Sequence, residues 1–267
     1  MEVLTFFLPP FFMCLILVGI HCYMGLHVLK RGVIFVDLSL AQVAGLGTTV
    51  ALLFNIEHHS TASYFISLAH TFAIAVLFSW ARKVENKISQ EVLIGIVYAL
   101  ASALVILVVN NLSHGAEHIK EILVGRILWV SWDDVIKTAV IYSVVAGIHY
   151  YFRKQIIAVS FGGKIANRAF WDFIFFALFG VVITSSVGVA GILLVFSFLI
   201  VPALISTFFK KDMKDRLLFG WVFGFFVCIL GMVLSYKLDL PAGAILVVCF
   251  TIIPILMLPF LSRNKLG

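Results

Sequence analysis

The sequence predicts an all-α fold, a polytopic bundle of helices that crosses a membrane, and three observations lead to that prediction. Of the 267 residues, 63% are hydrophobic and only 12% are charged, about half the charged share of a typical soluble domain. The apolar residues are grouped in runs of about 20, the length that spans a hydrocarbon core as a helix. Lysine and arginine are concentrated in alternate polar breaks, which would all lie on one side of a membrane, as expected of a membrane protein.

The apolar runs predict about nine spans within a single transmembrane domain that covers residues 1–267. Two of the runs meet at 184–188 and fit either two short helices or one broken helix, so eight spans is the alternative. The runs lie at 5–28, 36–55, 61–81, 91–110, 134–152, 171–186, 188–209, 217–235 and 241–261.

The charges of the breaks orient the chain. With the N-terminus outside, fifteen of the nineteen Lys and Arg residues fall in five cytoplasmic segments, which is the positive-inside pattern. Because the basic residues are spread over five short segments, they form no single face that would bind nucleic acid.

The sequence contains no motif for ATP hydrolysis, metalloprotease or serine hydrolase chemistry. The patterns GxxxxGK[ST], HExxH and GxSxG are all absent from it. Transport against a gradient would therefore draw its energy from a partner or from an ion gradient. The cysteines form no CxxC pair, which favours free thiols over a zinc cluster. They lie inside apolar runs, at Cys14, Cys22, Cys228 and Cys249.

Polar side chains at membrane depth are candidate functional residues, because placing them in lipid is costly. His21 and His27 lie near the end of the first run, and Asp37 and Gln42 open the second. Imidazole, carboxylate and amide groups suit divalent metals such as zinc and manganese, so these residues are candidates for lining a metal path. Taken alone, they are better explained by hydrogen bonds between packed helices.

The remaining histidines are predicted to have other roles. His70 and His149 each stand alone in an apolar run, where a packed, hydrogen-bonded ring is expected. The external breaks hold ligand-type side chains that are expected to be solvated, and the alternative is that they weakly attract metal near an entry. These are His58, His59, His114, Glu117 and His118.

Glycine and proline mark positions of close packing and bending. Gly188 and Gly191 permit close contact between helices, and Pro202 is expected to kink the helix that contains it. The longest cytoplasmic break, 153–172, mixes basic and large apolar residues. It is longer than a connection between two spans requires, which favours a docking surface for a soluble protein.

Four segments in order resemble the permease subunits of zinc, manganese and iron ABC importers, the ABC-3 type metal permeases. They are 21–42, running from His21 to Gln42; 89–99, SQEVLIGIVYA; 187–203, VGVAGILLVFSFLIVPA; and 240–244, LPAGA. Two positions depart from the family pattern. Gln42 stands where many members carry histidine, and the segment that begins FGGK at Phe161 is shorter than usual.

The resemblance implies a multi-pass permease in the inner or plasma membrane of a prokaryote, with a divalent metal ion as the transported substrate and no bound cofactor. It implies a homodimer, a cytoplasmic ATPase subunit that carries out the hydrolysis, and an external metal-binding protein. Contact with the ATPase would fall to Phe161, Gly162, Lys164 and Arg168, and gating to Gly188, Gly191 and Pro202. The alternatives are an ion-coupled secondary transporter and a membrane scaffold that transports nothing.

Overall fold

All regular elements of the described chain are helices. A computed structural model describes residues 2–57, 60–82, 85–110, 112 and 115–263, and no strand occurs among them. The α-helices are α1 (Glu2–Arg31), α2 (Val36–Leu53), α3 (Thr61–Ala81), α4 (Gln90–Val109), α5 (Gly115–Val124), α6 (Trp132–Tyr151), α7 (Arg153–Phe161), α8 (Arg168–Phe209), α9 (Met213–Leu238) and α10 (Ala242–Arg263). A short 3-10 helix, Ile127–Trp129, lies between α5 and α6.

Serine residues define where several of these helices begin. The hydroxyls of Ser60 and Ser89 accept hydrogen bonds from backbone amides three residues later, at the first turns of α3 and α4. Ser131 and Asp134 form a reciprocal capping box at the start of α6. Such caps satisfy amide groups that the helix itself leaves without partners.

The long helix α8 forms the centre of the bundle and folds back on itself. It packs against α1, α2, α3, α9 and α10, and its backbone leaves helical geometry only at Gly191 (φ 76°, ψ 162°). Two residues of α8 that are far apart in sequence lie beside nearby residues of α1. Asp172 accepts a hydrogen bond from Arg31 at the end of α1, and the backbone of Leu199 lies against Gly25. A straight helix would separate Asp172 and Leu199 by about 40 Å, but the six residues from Gly25 to Arg31 cover only about 9 Å. The two halves of α8 therefore run in opposite directions beside α1.

The predicted count of nine spans is not confirmed. Six helices are long and apolar enough to cross a membrane, namely α1, α2, α3, α4, α8 and α9. The pair α6 and α7, bent by 79°, makes a seventh if it is one span, and α10 counts only as a shorter apolar helix over Ala242–Met257. The two runs predicted at 171–186 and 188–209 correspond to the two halves of α8, and the break between them lies at Gly191.

The outer faces of the bundle are apolar. Large hydrophobic side chains such as Leu107 on α4, Val140 on α6 and Phe226 on α9 are more than half exposed. A soluble protein rarely leaves such continuous surface to water, but lipid accepts it. The chain is therefore a multi-pass membrane protein, as the composition predicts.

Candidate translocation and coupling site

His21 lies in the middle of α1 and is fully buried. Its Nδ1 is 2.8 Å from the carbonyl oxygen of Leu17, and its Nε2 is 3.2 Å from the hydroxyl of Ser186 on α8. Both ring nitrogens are therefore engaged by protein atoms. In this conformation His21 links α1 to α8, as the hydrogen-bonding alternative predicts.

His27 lies almost two turns further along α1 and is also fully buried. Its Nδ1 is 2.8 Å from Ser160 Oγ on α7, while its Nε2 has no hydrogen-bond partner among the described residues. The rings of Tyr23 and His149 lie beside it, with centroids 4.8 and 6.5 Å away. The Tyr23 hydroxyl is 3.2 Å from His149 Nδ1, so α1, α6 and α7 meet at this aromatic cluster.

Asp37 and Gln42 are both buried on α2, away from these histidines. The Asp37 carboxylate has no side-chain hydrogen-bond partner among the described residues, and the backbone amides of Asp37 and Leu38 lie beside it. The neighbouring charge is Glu91 at the start of α4, whose Oε1 accepts a bond from the Phe35 amide at 3.3 Å. Asp37 and Gln42 are five residues apart and so point about 140° away from each other around the helix.

The predicted metal-path residues do not converge on one coordination site. No group of three or more His, Cys, Asp or Glu side chains within the described ranges is placed to hold a metal ion. His21, His27, Asp37 and Gln42 are instead distributed along α1 and α2. Their contribution to a path remains a prediction.

The strongest electrostatic feature was not anticipated from the sequence. Asp172, at the start of α8, accepts bonds from Arg31 Nη1 at 2.7 Å and from Arg82 Nη1 at 2.9 and 3.0 Å. The side chains of Asp172 and Arg31 are 0% exposed, and that of Arg82 is 18% exposed. This triad joins the ends of α1, α3 and α8 on the face that is rich in lysine and arginine. An acidic residue opening an apolar run was the available signal, but sequence alone gives no partner for it.

The triad extends to α7 through Ser160. Arg31 Nε donates to Ser160 Oγ at 3.0 Å, and the Arg31 guanidinium carbon lies 3.8 Å from the centroid of the Phe175 ring. Arg168 Nη2 donates to the carbonyl oxygen of Val159 at 3.1 Å. The short helix α7 is therefore held from both sides by arginines of neighbouring elements.

The predicted docking residues lie at the exposed end of α7. Phe161 is its last residue, and Gly162 ends the helix in the left-handed conformation (φ 85°). Phe161, Gly162, Lys164 and Arg168 are all exposed to solvent. The structure thus places an accessible helix end and a basic segment on the face that is rich in lysine and arginine.

Gly191 is the tightest backbone contact at the opposite end of the bundle. Its φ of 76° suits glycine, and a Cβ there would clash with the backbone of Gly125. Gly188 has nothing within 4 Å of its Cβ position and lines a cavity instead. Pro202 was predicted to kink its helix, but its backbone angles are helical. Inside α8, only Gly191 departs from helical φ and ψ angles.

A polar cavity of about 360 Å³ opens near this break. Its wall comes from α2, α3, α5, α6 and α8, and hydroxyl side chains are the largest group among the lining residues, including Thr48, Ser67 and Thr184. Four charged residues line it: Glu121, Arg126, Asp134 and Lys137. No local sequence pattern marks this cavity, because its hydroxyl residues are scattered over several helices.

Two predictions for the remaining histidines have a clear outcome. His149 is packed and hydrogen-bonded, as expected. His118 was predicted to be solvated, and this is wrong: it is buried on α5, and its Nε2 lies 3.1 Å from Thr49 Oγ1. His70 Nδ1 is 2.8 Å from the carbonyl oxygen of Ile66. His58, His59 and His114 lie outside the described residues.

Known proteins resemble this chain over most of its length. A probable iron transport system membrane protein of Haemophilus influenzae is 22% identical over 254 residues, which cover 93% of this chain and 87% of the relative. A manganese transport system membrane protein, MntC, of Listeria monocytogenes is 28% identical over 188 residues, 68% of this chain and 66% of the relative.

Solved structures share the fold. PsaBC from Streptococcus pneumoniae in complex with Fab superposes with a TM-score of 0.74 at 18% identity, covering 92% of this chain and 88% of that one. An inward-facing conformation of a putative metal-chelate type ABC transporter gives 0.69 at 17% identity, covering 96% and 85%. The model of the ABC 3 transport family matches residues 5–260, and the chain therefore belongs to the ABC 3 transport family of membrane transport proteins.

Proposed function

We propose that this chain is the permease subunit of an ATP-driven importer of divalent metal ions such as manganese, iron or zinc. The observation that carries the proposal is the attachment of α7. This helix bends by 79° from α6 and exposes its end on the basic face. It contacts the bundle through Ser160, which bonds Arg31 and His27.

This attachment suits the docking of a separate ATPase. The ATPase binds the exposed residues Phe161, Gly162, Lys164 and Arg168, and its closure on ATP displaces α7. Because α7 is bonded to α1 and to the triad, the displacement reaches α3 and α8 as well. A loop that only connected two spans would not need these buried bonds.

The ion enters through the polar cavity beside Gly191, where Gly188 leaves space in the wall. Asp37 and His27 keep polar atoms without a described partner, so they make the transient contacts with the ion, together with Gln42. His21 does so only when it releases Ser186. Weak contacts fit transport, since a tight site would retain the ion.

The fold-back of α8 supports nine crossings. Residues 168–190 and 192–209 each have the length of a span, about 34 and 27 Å at 1.5 Å per residue. Counting α8 twice, with α6 and α10 as spans, keeps Lys210, Lys211 and Arg263 on the same side as Arg168. A single crossing by α8 would place Lys210 opposite Arg168 and break the positive-inside pattern.

The assembly contains two copies of the chain, two ATPase subunits and an external metal-binding protein. Co-purification with a candidate ATPase tests the coupling directly. The expected result is a stoichiometric complex that is lost in the double variant Phe161→Ala, Lys164→Ala. The matched control is Lys211→Ala on the next cytoplasmic segment. No complex with any ATPase, together with uptake driven by a proton gradient, would instead establish the secondary transporter.

A further inference from the structure

A separate groove lies on another face of α6 from the polar cavity: Thr138 and Ile141 line the cavity, whereas Ala139 and Tyr142 line the groove. It has a volume of about 600 Å³ and runs between α1, α6 and α9. Ile16 and Ala139 line it at membrane depth, and Arg153 and Lys214 line its cytoplasmic end. Ala139 and Tyr150, which both line the groove, are eleven residues apart, or about 17 Å along α6, which is about the thickness of one leaflet of the hydrocarbon core.

The interior of this groove offers apolar surface rather than hydrogen bonds. The Trp221 indole nitrogen already donates to the carbonyl oxygen of Gly19 at 2.9 Å. The Tyr142 hydroxyl donates to the carbonyl oxygen of Val182 at 3.3 Å, and the Tyr23 hydroxyl bonds His149. Because these polar atoms are engaged, the groove suits a hydrocarbon chain better than a polar metabolite or a hydrated ion.

The cytoplasmic end of the groove is basic. Arg153 is exposed, and its guanidinium carbon lies 4.7 Å from the centroid of the Tyr150 ring. Lys214, also exposed, approaches from α9. Asp212 and Asp215 are the acidic residues at the start of α9, and neither lines the groove. Two cations from different elements thus meet where the apolar channel reaches the membrane surface.

We propose that this groove is a binding site for an anionic phospholipid of the cytoplasmic leaflet. The phosphate lies between Arg153 and Lys214, and one acyl chain follows the groove past Ala146 towards Ile16. Basic pockets between transmembrane helices on the cytoplasmic side recognise anionic headgroups in this way. The bound lipid would brace the start of α7 against α9.

Native mass spectrometry of the detergent-extracted full chain, titrated with dioleoylphosphatidylglycerol or dioleoylphosphatidylcholine, tests this site. The wild type is expected to hold one phosphatidylglycerol per protomer in preference to phosphatidylcholine. The double variant Arg153→Gln, Lys214→Gln should lower the phosphatidylglycerol affinity by about thirtyfold, the effect of two cations facing an anionic surface. The matched control Lys154→Gln, Lys211→Gln removes two exposed charges outside the groove and should retain the lipid.

A third variant tests the acyl channel separately. Ala146→Trp fills the groove without changing its charge and is expected to abolish the adduct. An equal loss in the charge control would show general surface attraction, and retention in either groove variant would overturn the site. Adducts on the monomer that are absent from the dimer would show that a second copy covers the groove, which also overturns the proposal.

Discussion

The substitution Asp172→Asn tests whether the buried triad holds the cytoplasmic ends of α1, α3 and α8 together. Asp172 accepts three short bonds from two guanidinium groups, and both it and Arg31 are inaccessible to solvent. Removing one member of a buried ion pair costs about 3–5 kcal/mol, because the remaining charge is left without compensation. The asparagine keeps the shape and loses the charge, so a loss of about 3 kcal/mol in unfolding free energy is expected.

The measurement is unfolding in mixed micelles by titration with sodium dodecyl sulfate, followed by helical circular dichroism. Asp215→Asn is the control, since Asp215 is exposed on the same face of the membrane and should change stability by less than about 0.5 kcal/mol. The double variant Asp172→Leu, Arg31→Met should recover at least half of the loss, because it removes Asp172 together with its fully buried partner. The remaining cation, Arg82, is 18% exposed and keeps its contact with Glu85. A loss below about 1 kcal/mol for Asp172→Asn would refute the reasoning, since it would mean that the triad is solvated or easily rearranged.

Three further predictions concern the break in α8, the outer cavity and α7. Gly191→Ala should lower the unfolding free energy by at least about 2 kcal/mol, or prevent folding, because Gly191 has a positive φ and lies close to the Gly125 backbone. Gly188→Ala should be neutral or slightly stabilising. Thermal melts of the two variants check this. In metal uptake by vesicles, Glu121→Gln should raise the apparent KM for a divalent ion and Lys137→Gln should lower it, each by about threefold; the same direction in both would contradict an electrostatic effect of the cavity. Ser160→Ala should leave ATPase binding intact while metal no longer stimulates ATP hydrolysis, since it removes the bonds from α7 to Arg31 and His27; normal stimulation would show that α7 acts by another route.

The transmembrane elements could be predicted from the sequence because lipid imposes a strong pattern on them. The runs at 61–81 and 91–110 lie within a residue of Thr61–Ala81 and Gln90–Val109, where serine caps mark the starts. The join in α8 was misplaced for a physical reason. The polar residues at 184–186 suggested a turn, yet their hydroxyls bond inside the bundle, and the reversal lies at Gly191, which accepts a positive φ.

The candidate site was harder to predict because its bonds join residues distant in the chain. His21 was singled out from the sequence as a buried polar residue, but its hydrogen-bond partner Ser186 is 165 residues away. Arg31 and Arg82 look like ordinary cytoplasmic charges, and only the fold brings them to Asp172. The same holds for the outer cavity, whose small hydroxyl residues carry no local signal. The mixture of basic and large apolar residues at 153–172 predicted more than a simple connection between two spans, and the separate helix α7 lies in this segment.

The central claim is that this chain passes a divalent metal ion at the expense of ATP hydrolysed by a partner. The direct test is uptake of manganese, iron and zinc into sealed vesicles that contain the chain with its ATPase, oriented so that ATP reaches the ATPase and metal is presented with the binding protein on the other face. The account predicts ATP-dependent accumulation of at least one metal, lost when either the ATPase or ATP is omitted. Two results would contradict metal import driven by ATP. One is accumulation that persists without ATP and follows a proton gradient, and the other is no accumulation of any metal although the complex has assembled with its binding protein.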